Sequence, residues 1–263
     1  MKKRILIIGK KSFIGSNLKN YLSKFFDVNS ISYDDIKNKK KILFSASYII
    51  NTSIHKNYIN KKYDKKFDFD RKIVTKLGKK KFIYFFLNSR KIYLPKINIT
   101  ELSKLKPQNN YAKNKLITEK YLKKKLGNKL ISLRISNVIG KRKFKKNRNN
   151  HNLFLDNFIK YKMQNKKIIV NDDFKDFITI DHFCLIIKNL INKNIHGTFN
   201  VSLGRKVYVS EITKWLNKNY FNNIYFKKKN TDSFTLSNKK LLKRIPIKIS
   251  KKQLKNFCKK LKI

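Results

Sequence analysis

A tyrosine and a lysine one helical turn apart are the residues whose spacing most directly suggests chemistry. Tyr111 and Lys115 stand at i and i+4 in a segment, 111–126, with a helical pattern, so their side chains share one face. An ammonium group beside a phenol favours the phenolate, which suits the tyrosine to general acid and base catalysis. Taken alone, the two residues could equally be an ordinary pair on a helix surface.

A glycine turn near the start of the chain is the second feature. The apolar run Ile5 to Ile8 is typical of a buried parallel strand, and Gly-x-x-Ser-x-x-Gly and a helical pattern follow it. Backbone N–H groups and the helix dipole at such a turn can hold a pyrophosphate. A turn of this kind followed later by Tyr-x-x-x-Lys is typical of nicotinamide enzymes. The predicted cofactor contacts are Gly9, Ser12, Phe13, Ile14, Gly15 and Thr52.

The end of the second predicted strand, 28–33, bears on the choice between NAD and NADP. Asp34 and Asp35 are candidates to bind the ribose hydroxyls, and Asp34 is the predicted contact. Ser32 and Tyr33 could instead occupy the decisive position, and both aspartates could simply cap the next helix. The sequence therefore predicts NAD or NADP without choosing between them.

Size and composition fit one large α/β domain or a domain with a smaller lobe. The chain has 263 residues, 41% of them hydrophobic, which is enough to bury a full core. Cys184 and Cys258 lie far apart and the four histidines are scattered, so we predict no metal site and expect a reducing cytoplasm. No apolar stretch approaches transmembrane length, and we expect no membrane insertion.

The net charge of +51, from 66 basic and 15 acidic residues, has two interpretations. It could indicate a surface for nucleic acid or membrane. However, the basic residues are mostly Lys and are spread along the chain beside abundant Asn, Ile, Phe and Tyr, as A/T-rich codons would produce. Proteins that read nucleic acid usually concentrate Arg. We therefore expect no specific nucleic-acid partner, and we note one concentrated basic segment at 141–150.

Alternating strand and helix patterns predict a Rossmann-like α/β fold, a doubly wound parallel sheet with a small C-terminal substrate lobe. We expect an NAD(P)-binding domain at 1–140 and the lobe at 141–263, with parts of 176–202 returning to the main sheet. The lobe is predicted to contain a helix near 152–163. A C-terminal helix capped by Ser250 is also expected.

Further motifs, in order, carry a resemblance to a known family. Ser89-Arg90-Lys91-Ile92-Tyr93 follows a buried strand, and Glu101, Pro107, Tyr111, Lys115 and Glu119 then form the pattern Glu-x5-Pro-x3-Tyr-x3-Lys-x3-Glu. The segments 133–140, 175–181 and 197–201 complete the succession. Over nearly its whole length the chain resembles the extended short-chain dehydrogenases/reductases that act on nucleotide sugars.

The resemblance implies a role for each matching position. Tyr111 would be the general acid and base, and Lys115 would bind the nicotinamide ribose and lower the pKa of the tyrosine. Ser89 would bind the same substrate oxygen as the tyrosine. Asn137 and Lys175 would contact the nucleotide sugar, with Lys175 facing the diphosphate where many relatives have an Arg.

The implied activity is that of an NAD(P)-dependent epimerase or ketoreductase acting on a nucleoside-diphosphate sugar, in surface polysaccharide or deoxysugar synthesis. In the family's 4,6-dehydratases, Asp-Glu follows the hydroxyl residue and eliminates water, whereas Arg90 and Lys91 stand here. We therefore do not expect dehydration.

The partners are less fully determined by the sequence. Relatives often form homodimers through the helices that flank the tyrosine, but Lys113, Lys120 and Lys124 would make that face repulsive, which leaves a homodimer open. The alternative function is that of a non-catalytic Rossmann-fold protein that binds RNA through its basic surface.

Overall fold

A six-stranded parallel sheet forms the centre of the molecule. The computed structural model describes residues 2–142, 155–156, 168–216, 224–228 and 232–261. The strands of the central sheet are β1 (Arg4–Ile8), β2 (Asp27–Ile31), β3 (Tyr48–Asn51), β4 (Ile83–Ser89), β5 (Leu130–Ile135) and β10 (Gly197–Val201). They lie in the order β10-β5-β4-β3-β1-β2, and every neighbouring pair is parallel. The predicted Rossmann-like α/β fold is confirmed.

The other elements of the described residues surround this sheet. Three small ladders pair β6 (Asn137–Ile139) with β9 (Phe177–Thr179), β7 (Ile168–Asn171) with β12 (Ile224–Lys227), and β8 (Phe174–Lys175) with β11 (Val207–Tyr208). The helices are α1 (Phe13–Leu22), α2 (Lys40–Ser45), α3 (Lys56–Asn60), α4 (Phe69–Leu77), α5 (Asn110–Leu126), α6 (Ile180–Asn192), α7 (Val209–Leu216), α8 (Lys239–Arg244) and α9 (Lys251–Lys260). None of these described helices combines the length and the hydrophobicity that a bilayer crossing needs.

The apolar strands of the sheet are buried on both faces. Ile5 and Ile7 of β1 pack into one cluster with side chains of α1 and α6, whereas Leu6 and Ile8 pack into another with side chains of α2 and α4. A strand covered by helices on both sides has no solvent face, so its sequence is a continuous apolar run rather than an alternation.

The sheet order places a crevice at the C-terminal edge. From β1 the chain turns to β2 on one side and later returns to β3 on the other, so the loops after β1 and β3 diverge from a topological switch point. Ligands of open α/β sheets bind at such points. Gly9 follows β1 and Thr52 follows β3, which brings both residues to this crevice.

Local predictions had mixed outcomes. The Ser250 cap is confirmed, since its Oγ accepts a hydrogen bond of 3.2 Å from the Gln253 N–H. The end of the second strand was predicted two residues too late: the strand ends at Ile31, and Tyr33 instead precedes a 3₁₀ turn, Asp34–Ile36. Most of the basic segment 141–150 and of the helix predicted near 152–163 lies outside the described residues.

Candidate active site

The glycine turn is closed by a chain of hydroxyl hydrogen bonds. The Ser12 Oγ caps α1 by accepting from the Gly15 N–H at 2.9 Å, and it lies 2.7 Å from the Thr52 Oγ1. Since Thr52 donates its proton to the Ile8 carbonyl at 2.8 Å, the Ser12 hydroxyl donates to Thr52. Ser12, which stands where a glycine is usual, thus ties the turn to the end of β3.

Two glycines of the turn are required by space and by backbone conformation. Gly9 has a φ of +107°, which favours glycine, and a Cβ there would overlap the Thr52 hydroxyl. A Cβ on Gly15 would overlap the Gly9 carbonyl oxygen. The start of α1 therefore lies directly against the turn, where its dipole favours a pyrophosphate, and Ser12 already caps the Gly15 N–H.

The other two predicted cofactor contacts in this turn, Phe13 and Ile14, both direct their side chains to the hydrophobic core. The side chain of Phe13 is 5% exposed and belongs to the hydrophobic core, and Ile14 packs against the same cluster. Any contact that they make with a phosphate group would therefore come from their backbone at the first turn of α1. Both stay predictions as cofactor contacts.

The two aspartates after β2 have different surroundings. The Asp35 carboxylate accepts from the Ser32 N–H at 3.2 Å and pairs with Lys10 of the glycine turn at 3.6 Å. Asp34 is exposed at the start of the 3₁₀ turn. Asp35 is therefore the one of the pair that contacts the glycine turn, and the role predicted for Asp34 stays a prediction.

Tyr111 and Lys115 lie in the first two turns of α5. The helix begins after Asn109, whose Oδ1 accepts from the Ala112 N–H at 2.9 Å. Tyr111 is partly exposed, whereas Lys115 is only 6% exposed and its ammonium lies 4.6 Å from the ring centroid of Phe86 in β4. Helix α5 therefore packs Lys115 against the strand that ends at Ser89, with Tyr111 one turn earlier on the same helix.

A buried carboxylate that sequence reasoning missed lies beside Lys115. The Asp70 Oδ2 is 3.8 Å from the Lys115 Nζ, and its Oδ1 accepts from the Asn51 Nδ2 at 2.9 Å and the Tyr84 hydroxyl at 2.8 Å. Burial raises the pKa of Asp70, and the charge of Lys115 opposes that shift. The scarcity of acidic residues could have drawn attention to Asp70, but nothing in the sequence names its partner.

Ser89 ends β4 at the same edge of the sheet. Its Oγ accepts from the Lys91 N–H at 3.2 Å, which caps the 3₁₀ turn Arg90–Ile92. In the pairing of β4 with β5, Ser89 lies opposite Ile135, two residues before Asn137. The Asn137 Nδ2 in turn donates to the Asp176 carbonyl at 3.3 Å. The fold therefore brings Ser89 and Asn137 to the ends of neighbouring strands.

Basic side chains converge on one carboxylate beyond Ser89. The Arg90 Nη2 contacts both carboxylate oxygens of Asp232, at 2.7 and 2.6 Å, and the Lys175 Nζ lies 3.0 Å from Oδ2. Desolvation would raise the pKa of Asp232, but the charges of Arg90 and Lys175 outweigh it and the pKa is lowered. We name Arg90, Lys91 and Lys175 the basic cluster. Asp232 was the second residue that sequence reasoning missed.

Other residues of the recognised pattern stabilise the fold. Glu119 pairs with Arg134 at 2.9 Å and accepts from the Ser132 hydroxyl at 2.6 Å, all three being buried. The Glu101 Oε1 accepts from the Asn200 N–H at 2.7 Å. These contacts join α5, β5 and β10. The Glu-x5-Pro-x3-Tyr-x3-Lys-x3-Glu motif therefore contains residues that pack the fold as well as candidate site residues. Among the described residues, no three His, Cys, Asp or Glu gather as metal ligands would.

Comparisons with known proteins agree with this geometry. A sequence profile of the NAD dependent epimerase/dehydratase family matches residues 55–202, more than half of the chain. No curated protein matches the chain in sequence. The expected alternative, an RNA-binding protein without catalysis, receives no support from the matches.

Solved structures of three reaction types share the fold. UDP-N-acetylglucosamine 4-epimerase from Methanobrevibacter ruminantium, in complex with UDP-N-acetylmuramic acid, is 17% identical, with a TM-score of 0.75 over 98% of this chain and 97% of that one. The dTDP-4-dehydrorhamnose reductase from Bacillus anthracis, with NADP, is 15% identical, with a TM-score of 0.74 over 98% and 99%. The dTDP-glucose 4,6-dehydratase from the same species, with NAD, is 14% identical, with a TM-score of 0.73 over 98% and 94%.

Proposed function

Since this chain belongs to the NAD dependent epimerase/dehydratase family, we propose that it is an NAD(P)-dependent epimerase or ketoreductase acting on a nucleoside-diphosphate sugar. One observation carries the proposal: α5, which bears Tyr111, packs buried Lys115 against Phe86 of β4, the strand that ends at Ser89, in the sheet whose switch point carries the glycine turn. We propose surface polysaccharide or deoxysugar synthesis as its setting. We also propose the cytoplasm as its location, since both cysteines are buried and no disulfide joins them.

The glycine turn fits a dinucleotide because Gly9 and Gly15 place no Cβ between β1 and the N-terminus of α1, whose dipole favours a pyrophosphate. We propose that Gly9, Ser12 and the first turn of α1 bind the pyrophosphate and that Thr52 borders it. Lys115 would bind the nicotinamide ribose. When bound there, the nicotinamide supplies or accepts the hydride.

The proton chemistry falls to residues of the chain. Tyr111 would give a proton to the reacting oxygen of the sugar or take one from it, and the nearby ammonium of Lys115 would favour its phenolate. Ser89 would donate a hydrogen bond to the same oxygen and stabilise the charge that develops on it. Its Oγ only accepts in the capping contact with Lys91, so its proton is left for this task.

The residues after Ser89 argue against dehydration in this chain. Elimination of water needs groups that can exchange protons near neutral pH, and an arginine does not lose its proton in proteins. Arg90 is 6% exposed and bound to Asp232, so it is also held away from a mobile role. A 4,6-dehydratase is among the solved structures that share this fold. The argument against dehydration therefore depends on Arg90 and Lys91 and not on the fold.

The proposal is tested by incubating the purified chain with NAD or NADP and a panel of uridine and thymidine diphosphate sugars. Products would be separated by anion-exchange chromatography and weighed by mass spectrometry. We expect a product with the same mass as its substrate, or one that is two hydrogens heavier with consumption of NAD(P)H. A product lighter by one water, or a failure to bind either dinucleotide, would contradict the proposal.

A further inference from the structure

The basic cluster is fixed beside the residue that we expect at the reacting oxygen. The hydrogen bond from the Lys91 N–H to the Ser89 Oγ sets the turn in which Arg90 and Lys91 follow the end of β4. Arg90 is then held from a second side, because its guanidinium lies 3.9 Å from the ring centroid of Phe234. The position of Arg90 therefore depends on packing, whereas Lys91 is held through its backbone and its side chain is exposed.

The cluster already binds one carboxylate. Arg90 and Lys175 both contact Asp232, whose side chain is 43% exposed, whereas the Arg90 side chain is 8% exposed. A buried arginine and a partly buried lysine thus face a carboxylate at the edge of solvent. The contacts made here to Asp232 are the charge-assisted hydrogen bonds that a carboxylate on a small molecule would receive.

One charge of the cluster is left uncompensated. Lys175 approaches Asp173 at 3.8 Å as well as Asp232, so two carboxylates face three cations. In the described part of the chain, which contains all 15 Asp and Glu residues, none forms an ion pair with Lys91. Desolvation and then the charge of Arg90 lower the pKa of Lys91. An anionic ligand would relieve this repulsion.

We propose that the basic cluster, through Lys91, binds a carboxylate on the sugar, so that the substrate is a nucleoside-diphosphate uronic acid or a similarly acidic sugar. This inference rests on the proposed function. The carboxylate of a uronic acid stands on C5, one bond from C4, whereas the diphosphate hangs from C1 across the ring. For a reaction at C4, a cation two residues from Ser89 is therefore near the carboxylate.

The test compares the binding of UDP-glucuronate, UDP-glucose and UDP to the full chain with cofactor present, by calorimetry. We expect UDP-glucuronate to bind at least about tenfold more tightly than UDP-glucose, the factor that one charge-assisted hydrogen bond provides. Lys91→Met should remove that preference and leave UDP-glucose and UDP unchanged, while Lys91→Arg should retain most of it. Lys113→Met, on the exposed face of α5, is the matched control and should change nothing.

Two results would overturn the inference while the proposed function stands: equal binding of both sugars by the unaltered chain, or equal weakening of all three ligands by Lys91→Met. The second would mean that the cluster binds the diphosphate. If uridine is not accepted, the same comparison is made with thymidine nucleotides. Binding of NAD(P) with no affinity for any of these nucleotides would refute the proposed function as well.

Discussion

The two sides of the candidate site differ in how their charges are paired. On the α5 side, Lys115 is enclosed with one carboxylate, and Asp70 in turn has two neutral hydrogen-bond donors. On the Ser89 side, the basic cluster lies around Asp232, which is half exposed, and Lys91 forms no ion pair with a carboxylate in the described residues. Under the proposed function, Lys115 keeps its charge throughout the reaction and is enclosed with its counter-ion Asp70. Lys91 instead exchanges one ligand for another, and its side chain is open to water.

The largest effect is expected at the α5 side, where the proton is proposed to move. Tyr111→Phe removes only the phenol, so turnover should fall by roughly 10²–10⁴-fold, the usual contribution of general acid–base catalysis. NAD(P) affinity should stay nearly unchanged. Steady-state rates and dinucleotide titration check both parts. Tyr121→Phe on the same helix, whose hydroxyl meets only that of Thr75 in the described residues, is the matched control and should keep full activity.

Asp70→Asn should reveal how closely the buried pair is coupled. Removing the carboxylate leaves the Lys115 ammonium buried beside Phe86 with no counter-ion in the described residues, and breaking such a pair costs about 3–5 kcal/mol of unfolding free energy. Because Lys115 is also proposed to bind the nicotinamide ribose, we expect NAD(P) to bind more weakly once the lysine has lost the carboxylate that holds it.

Urea denaturation and dinucleotide titration measure these two effects. The double variant Asp70→Asn with Lys115→Met should lose less stability than the sum of the single changes, because both charges are then absent. Additive losses, or an unchanged NAD(P) affinity, would show that Asp70 has no specific relation to Lys115.

Asp232→Asn, the matching substitution on the Ser89 side, should have a small effect on stability and a clear effect on the binding of nucleotide sugars. Asp232→Asn removes a half-exposed carboxylate, so the unfolding free energy should fall by no more than about 1–2 kcal/mol, well below the loss at Asp70. The basic cluster then gains net charge, and nucleotide sugars should bind more tightly, with a difference that shrinks as salt rises. Weaker binding in this variant would mean that Asp232 holds the cluster in shape.

Local sequence patterns predicted the elements and the residues that lie on them, but not the pairs that only the fold creates. Ser89, Tyr111 and Lys115 were found because each belongs to a short motif at the end of a strand or on one helix face. Asp70 and Asp232 were missed because the partners they meet, Lys115 and Arg90, are distant in sequence and brought close by α4 and the C-terminal segment. The end of β2 was misplaced because Ser32 and Tyr33 continue its extended pattern.

The smallest effect is expected from lysines outside both sides of the site. Lys113, Lys120 and Lys124 are exposed on α5, and Lys120 and Lys124 are like charges at i and i+4, which costs roughly 0.2–0.5 kcal/mol. Changing all three to Gln should therefore leave stability equal or slightly higher and should not alter nucleotide-sugar affinity. If their repulsion keeps α5 faces apart, sedimentation should also show increased self-association. A loss of nucleotide-sugar affinity as large as that expected for Lys91→Met would mean that ligands respond to the charge of the whole surface, and the distinction between the basic cluster and the other lysines would fail.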